Sequence, residues 1–470
     1  MTINPYPKKS DFMYVPLGGT GEIGINMNLY GHDGAWLMVD CGMMLDRQRA
    51  DTVLLPDPAF ARQLGADLRA LLLTHAHLDH IGAVPDLWAQ LRCPIYATPF
   101  TAAVVRQMAQ SYEPPVALDL RVVRPGTRHT VGPFDIEWIT LTHSTPEPSA
   151  LLLRTPAGSL FHTGDWKLDD HPVLGANYDA ERLSELQSEA VLAMICDSTN
   201  ALVDGESGSE SELYEPLRRI AQSAEGRVLV SCFSSNIARL STLARVARAT
   251  GRRLSLHGRA LERMLSAARA VGYWKEEDAV VARHDAGYLP PEEVLAVVTG
   301  SQGEPQAALA KLARDAHPEL LLDPTDTVVF SSRKIPGNEP AIESLQRRLR
   351  ERGIRVFTAG ESPVHVSGHP ARGELKRMFD WVRPGVVVPT HGEPQHLEAN
   401  ARWARSCGVA LVVRARNGDV VELAAGQPGI RGHVHSGRIE RALLHEPAKA
   451  EPAKAEPAKA EPAKAEPAKE

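Results

Sequence analysis

The sequence predicts an α/β protein in which a β-rich, metal-binding domain is interrupted by an α/β insertion and followed by a repetitive tail. Three observations carry this. Thr74-His75-Ala76-His77-Leu78-Asp79-His80 follows the mostly apolar run Leu68 to Leu73, so three imidazoles and a carboxylate crowd the end of a predicted strand, and divalent metal is the usual reason for such crowding. At about residue 205 the rhythm changes from short apolar strands separated by turns to helical patterns alternating with strands. A later predicted strand, Val386–Pro389, again ends in a ligand-type residue, His391, which implies that the chain returns to its first domain.

Taken in order, residues 1–204 form the first part of the metal-binding domain. Strands are predicted at Met13–Leu17, Ile25–Tyr30, Trp36–Val39, Ala70–Leu73, Ile136–Leu141, Ala150–Arg154, Ser159–Phe161 and Val191–Cys196. Residues 205–357 form the insertion. There helical patterns at Glu210–Ala224, Ile237–Thr250 and Glu339–Arg352 alternate with strands at Arg227–Cys232, Leu295–Thr299 and Thr327–Phe330, the pattern of a parallel sheet. Residues 358–445 return to the first domain with the strand before His391, a helix and two short strands. From Glu446 onward the chain repeats Glu-Pro-Ala-Lys-Ala. Proline in every repeat removes the amide that a continuing helix needs, and no large apolar residue is there to bury, so a disordered or loosely extended tail is expected.

A chain of 470 residues has room for two or three domains. The five cysteines, Cys41, Cys93, Cys196, Cys232 and Cys407, are scattered without a C-x-x-C pair, which predicts reduced thiols in a cytoplasmic protein. The first ten residues hold no signal-peptide core and no apolar run reaches membrane-spanning length, so no membrane partner is expected. With a net charge of −6, nothing global announces nucleic-acid binding, and any such surface has to be a local basic concentration.

Gly19-Thr20-Gly21-Glu22-Ile23-Gly24 matches the dinucleotide-binding pattern G-x-G-x-x-G, with Asp40 near the usual acidic distance. That fingerprint needs a helix starting at the glycines. Here two strands follow, joined through Gly31-His32-Asp33-Gly34 as a hairpin. The glycines are therefore expected to make a tight turn near the metal pocket, and Asp40, closing a strand, to orient a ligand histidine.

In H-x-H the rings of His75 and His77 leave an extended strand end on the same side and can share one ion. Asp79 and His80 point elsewhere and suit a second ion. His143 and Asp165 follow further predicted strands. With Asp40 these residues match the metallo-β-lactamase pattern of strand–Asp, H-x-H-x-D-H, a distant His and a distant Asp.

The chain further resembles the β-CASP nucleases of that superfamily, and among them the ribonuclease J family. The matching stretches are Leu17-Gly18-Gly19 with Gly21-Glu22-Ile23-Gly24, Val39-Asp40-Cys41-Gly42 and Asp197-Ser198-Thr199-Asn200. They continue with Thr299-Gly300-Ser301-Gln302-Gly303-Glu304-Pro305, Ile335-Pro336-Gly337-Asn338-Glu339, His365-Val366-Ser367-Gly368-His369 and His391-Gly392-Glu393. The resemblance implies an αββα sandwich with an inserted β-CASP domain, and RNA phosphodiester hydrolysis by a two-metal mechanism. It assigns two Zn2+ per chain, with Mn2+ or Mg2+ as alternatives for activity. His75, His77 and His143 would hold one ion, Asp79, His80 and His391 the other, and Asp165 would bridge them. Asp79 counts among the catalytic residues together with His369, the proton donor to the leaving oxygen, and Asp197, which steadies it. The histidine at position 391 places the chain with RNA-processing members, DNA-repair members having an apolar residue there.

The strand ends at Ser234-Ser235-Asn236, Gly300-Ser301-Gln302-Gly303 and Ser331-Ser332-Arg333-Lys334 precede helices, where free amides suit phosphate. Ordinary helix capping explains any one of them. Three together, with His365, Val366, Ser367, Gly368 and His369, predict the RNA contacts, and the resemblance implies a 5′-monophosphate preference with 5′-to-3′ degradation. A homo-oligomer is compatible with this reading. The family usually carries a further C-terminal domain, and Pro370 stands where alanine is usual. Two competing readings are a hydrolase of a small ester or thioester and a non-catalytic RNA-binding scaffold.

Overall fold

Two mixed β-sheets meet face to face through an apolar layer to which both contribute. Leu37, Val39 and Leu72 from one sheet meet Ile136, Trp138, Leu151, Ile195 and Val388 from the other, none of them solvent-accessible. Each such Leu or Ile contributes roughly 1.5–3 kcal/mol by leaving water. The computed structural model describes residues 6–442 apart from 47, 48, 50, 51, 276–278, 336 and 425. The repeat from residue 446, and Pro336 within the Ile335–Glu339 stretch, lie outside the described residues.

The first sheet runs Gly429–His433, Asp419–Glu422, Met13–Gly18, Met27–His32, Ala35–Val39, Leu68–Leu72, Ile95–Ala97 and Leu120–Val122. The second runs Leu411–Val412, Val386–Thr390, Val191–Asp197, Gly158–His162, Ser149–Thr155, Phe134–Thr140 and Arg128–Val131. Strand alternation sends Ala70 and Leu72 into the layer between the sheets, while Leu71 and Leu73 face the Val84–Leu91 and Pro99–Gln110 helices. Ile139 and Leu152 likewise face the Arg372–Val382 and Pro394–Ser406 helices. The result is the αββα sandwich expected of the resemblance.

The insertion carries a six-stranded sheet, Val280–Val281, Arg253–His257, Val294–Val298, Val228–Ser231, Thr327–Phe330 and Arg355–Thr358, with every pairing parallel. Its central strands are apolar on both faces, as a sheet covered by helices on two sides requires. The chain then re-enters the second sheet, where Val386–Thr390 pairs in parallel with Val191–Asp197.

Three local expectations differ in detail. The hairpin turn is tighter than expected, since His32 pairs with Ala35 and only Asp33 and Gly34, at φ 46° and 73°, make the turn. Ile25, at φ 45°, lies outside the strand, which begins at Met27. The helix expected over Glu210–Ala224 opens as a 3-10 turn, Glu210–Leu213, before the α-helix Tyr214–Gln222; Pro216 is accommodated in that helix's first turn, where no amide is needed. No helix among the described residues is long and apolar enough to cross a membrane.

Candidate metal centre

The residues that converge come from the carboxyl ends of strands in both sheets. Asp40 follows Ala35–Val39, and Thr74 to His80 follow Leu68–Leu72. His143 follows Phe134–Thr140, Asp165 follows Gly158–His162, Asp197 ends Val191–Asp197 and His391 follows Val386–Thr390. Two of these turns are strained: Asp40 and His391 hold φ of 63° and 50°, a region that non-glycine residues rarely occupy and that clusters at functional sites.

On one side, His77 Nδ1 lies 3.1 Å from His75 Nε2 and 3.0 Å from His143 Nε2. A tetrahedral ion with bonds of about 2.0–2.1 Å separates its ligand atoms by about 3.3 Å, so these nitrogens stand close to ligating positions. Hydrogen bonds on the far side of each ring fix which nitrogen faces inward. His75 Nδ1 donates to Thr74 Oγ1 at 3.0 Å, and the Thr74 hydroxyl donates to Asp40 at 2.9 Å. His143 Nδ1 donates to the Gly368 carbonyl at 2.5 Å. A side chain at 368 is excluded, because its Cβ would stand 2.7 Å from the His143 ring. Burial first, then the neighbouring imidazoles, push His75 and His143 well below the ordinary histidine value, and burial pushes His77 down to about 4. All three are neutral, the form that binds metal.

On the other side, His80 Nδ1 donates to Asp40 Oδ2 at 2.7 Å and turns Nε2 toward Asp165 Oδ2 at 3.2 Å. His391 Nδ1 donates to Thr199 Oγ1 at 2.9 Å, and its Nε2 lies 3.2 Å from Asp79 Oδ2. Burial opposes protonation here, yet Asp165 and the other carboxylates win. His391 is raised to about 10 and His80 well above its usual value.

Asp165 lies between the two sides. Its Oδ2 is 3.8 and 3.9 Å from the His75 and His143 Nε2 atoms, and Oδ1 is 3.4 Å from His391 Nδ1. Oδ1 is buried without a hydrogen-bond partner among the described residues. A buried carboxylate whose Oδ2 faces imidazoles of both groups and whose Oδ1 is left unpaired toward His391 fits a bridging metal ligand. His75, His77, His143 and Asp165 form one group able to hold an ion; Asp79, His80, Asp165 and His391 form another.

His369 stands beside both groups, its ring 5.0 Å from that of His143 and 5.5 Å from that of His391. Its Nδ1 donates to Asp197 Oδ2 at 2.8 Å. Asp197 is fully buried and accepts the Thr199 amide at 2.9 Å. Burial would raise its carboxyl, but His369 and the hydrogen bonds from His369 and His391 together hold it at about 2.

Sequence reasoning missed several residues that hold this geometry. Thr74 and Thr199 work through hydroxyls, and Gly368, expected as an RNA contact, holds His143 through its carbonyl. Asn26 Nδ2 reaches His80 Nε2 at 3.1 Å. Asn200 donates to Ser367 Oγ at 2.8 Å and to the His369 carbonyl at 2.9 Å, and receives the Arg333 guanidinium from the insertion. The glycine-rich turn braces His391, with the Gly19 carbonyl accepting the His391 amide at 2.8 Å and the Glu22 carbonyl accepting that of Gly392 at 3.0 Å. Of the expected RNA contacts, Asn236 caps the Ile237–Ala249 helix through the Arg239 amide at 2.8 Å. Ser331 is committed to the Val364 carbonyl at 2.6 Å. His365 Nδ1 is buried without a partner among the described residues. Ser234, Ser235 and Ser332 lie on the loops after Val228–Ser231 and Thr327–Phe330, and Val366 is half-buried against the core.

Three family models match the chain: the metallo-beta-lactamase superfamily over residues 20–187, the ribonuclease J beta-CASP domain over 225–349, and the Zn-dependent metallo-hydrolase RNA specificity domain over 362–413. A ribonuclease J of Sinorhizobium meliloti is 43% identical over 435 residues, covering 91% of this chain and 77% of that protein. One from Mycolicibacterium smegmatis is 40% identical, covering 90% and 76%. One from Helicobacter pylori is 33% identical, covering 93% and 65%. The crystal structure of a protein of unknown function from Enterococcus faecalis superposes with a TM-score of 0.60 at 16% identity, over 88% of this chain and all of that one, which speaks to the fold alone. With its sandwich, its insertion and this similarity along most of its length, the chain belongs to the ribonuclease J family.

Proposed function

We propose that this chain is a zinc-dependent ribonuclease that hydrolyses RNA phosphodiester bonds with two ions per chain, working chiefly 5′ to 3′ from a 5′-monophosphate and cleaving internally as a secondary activity. Membership of the family and the metallo-hydrolase fold support a metal-dependent RNA-processing nuclease. The observation that carries the finer reading is Asp165, whose buried carboxylate lies between the two histidine clusters and faces His75 and His143 on one side and His80 and His391 on the other.

In this reading His75, His77 and His143 would hold one ion and Asp79, His80 and His391 the second, with Asp165 shared between them. Such a pair polarises a phosphoryl oxygen and lowers the pKa of water near neutral pH. The protein's own groups do the rest. Asp40, Thr74, Thr199 and the Gly368 carbonyl hold the rings of His80, His75, His391 and His143 in the tautomers that face inward. Asp197 accepts from His369 Nδ1 and so holds the ring with Nε2 turned away from it, the atom that delivers a proton to the leaving oxygen. Asn200 fixes the carbonyl of His369 and carries Arg333, so the insertion supplies positive charge beside the reacting phosphate.

The RNA end is read by the serine- and glycine-rich strand ends of the insertion. Ser234, Ser235 and Ser332 are the contacts this geometry favours, since the Asn236 and Ser331 side chains already serve the fold.

The test compares one RNA sequence with a 5′-monophosphate, with a 5′-triphosphate and as a circle. The monophosphorylated form should disappear several-fold faster and release mononucleotides from the 5′ end. Equal rates on all three would sink the terminal-phosphate reading and leave an endonuclease.

A further inference from the structure

A second group of ligand-type side chains meets at the carboxyl end of a strand of the insertion's sheet and shares no residue with the centre above. His257 ends the Arg253–His257 strand. His317 and Glu319 lie on the chain between the Ala308–Leu312 helix and the Thr327–Phe330 strand. One donor atom from each of the three lies within 4.8 Å of the others.

His257 is the most telling member. It is 1% exposed, and its Nε2 lies 3.1 Å from Ser255 Oγ. Its Nδ1 has no hydrogen-bond partner among the described residues and faces Glu319 Oε2 at 3.5 Å, too far for a good hydrogen bond. Buried ring nitrogens are seldom left unpaired. The rings of His257 and His317 stand edge to face, 5.4 Å apart. Burial, with His317 and Arg283 nearby, pushes His257 down to about 3, so the ring is neutral and its lone pair is available. Arg283 pairs with Glu319 Oε1 at 2.9 Å, which orients the carboxylate and leaves Oε2 turned toward the histidines. His317 Nδ1 accepts only long contacts, 3.3 Å each, from the amides of Glu319 and Leu320, and these yield readily.

We propose that His257, His317 and Glu319 form an additional metal site that takes a zinc-type divalent cation. Two imidazoles and one carboxylate are a zinc donor set. The site ties the segment carrying His317 and Glu319 to the carboxyl end of the Arg253–His257 strand. It also stands behind a loop that serves the catalytic side. The His257 carbonyl accepts the Thr299 amide at 3.1 Å, and three residues on, Gln302 donates to the Arg333 carbonyl at 2.8 Å and accepts the Ile335 amide at 2.9 Å. A cation here therefore stiffens the platform that carries Arg333.

The experiment measures zinc per chain by elemental analysis in the full-length protein after saturation and removal of free metal. His317→Ala and Glu319→Gln should each hold one zinc fewer than the unmodified protein and lose part of the zinc-dependent rise in melting temperature. His77→Ala, which breaks only the catalytic centre, should keep this ion. Glu319→Gln preserves side-chain shape and covers the case in which His317→Ala does not fold. Equal zinc in the unmodified protein and Glu319→Gln overturns the proposal and leaves the cluster as an ion-pair network around Arg283.

Discussion

Asp40 shows how one residue sets several others. Its carboxylate accepts from the Thr74 amide, the Thr74 hydroxyl and His80 Nδ1, so it fixes His80 directly and His75 through Thr74. The H-x-H-x-D-H run was legible because its donors are contiguous and their chemistry is unusual. Thr74, Thr199 and Gly368 were not, because a hydroxyl or a carbonyl acts here only through a partner brought in by the fold; Gly368 and His143 are 225 residues apart. The site also carries protons that metal must displace. Asp165 and its neighbouring carboxylates hold protons on His80 and His391, and a ligand imidazole has to give its proton up. Metal uptake should therefore release protons, and affinity should weaken as pH falls. Calorimetric titration with zinc in buffers of different ionisation enthalpy should give heats that vary with the buffer; buffer-independent heats would contradict this account of His80 and His391.

At the scale of elements, apolar alternation located most of the central strands, and the three expected insertion strands agree with the structure within a residue or two. Helices such as Pro99–Gln110 and Arg259–Ala270 were missed. Pro99–Gln110 is rich in β-branched and small residues, and its identity is settled by packing against the first sheet. Ion pairs between elements were equally hidden. Glu137, Arg154, Arg182 and Glu189 come from two neighbouring strands, the Ala180–Glu185 helix and the turn after it, and form one cluster. Burial opposes charge on Glu189, but Arg154 and Arg182 outweigh it and hold the carboxyl at about 2, against roughly 4.3 in an unfolded chain. A depressed folded value means that the contribution is present above the unfolded pKa and fades as pH falls toward 2. The cluster is partly solvated, so the effect is modest. Melting temperatures of the unmodified protein and Glu189→Gln should differ at pH 7 and converge as the pH drops below about 4. A gap that stays constant with pH would show that Glu189 acts through packing and not charge.

For the whole molecule, the sandwich carries the candidate ligands, and the insertion's Arg333 reaches Asn200, which holds the His369 carbonyl beside them. The return of the chain at His391 was readable because a histidine at a strand end repeats the pattern of the first domain. The interlock was not, since no local pattern marks Asn200 as the partner of Arg333. The repeat from Glu446 has no aromatic residue to stack on bases, and its six glutamates outnumber its five lysines, so it offers RNA little attraction. Removing it should leave metal content and activity on a short RNA unchanged. A several-fold loss at equal metal loading would show that the repeat takes part in catalysis.

The central claim is that RNA cleavage depends on metal held by the His75–His391 constellation. The most direct measurement strips the protein of metal, restores zinc or manganese stepwise, and follows a labelled 5′-monophosphorylated RNA by product length. Cleavage should be absent in chelator, rise with metal loading, and stay absent in a folded His77→Ala variant at every metal concentration. Cleavage that persists in the stripped protein or in His77→Ala would contradict the account.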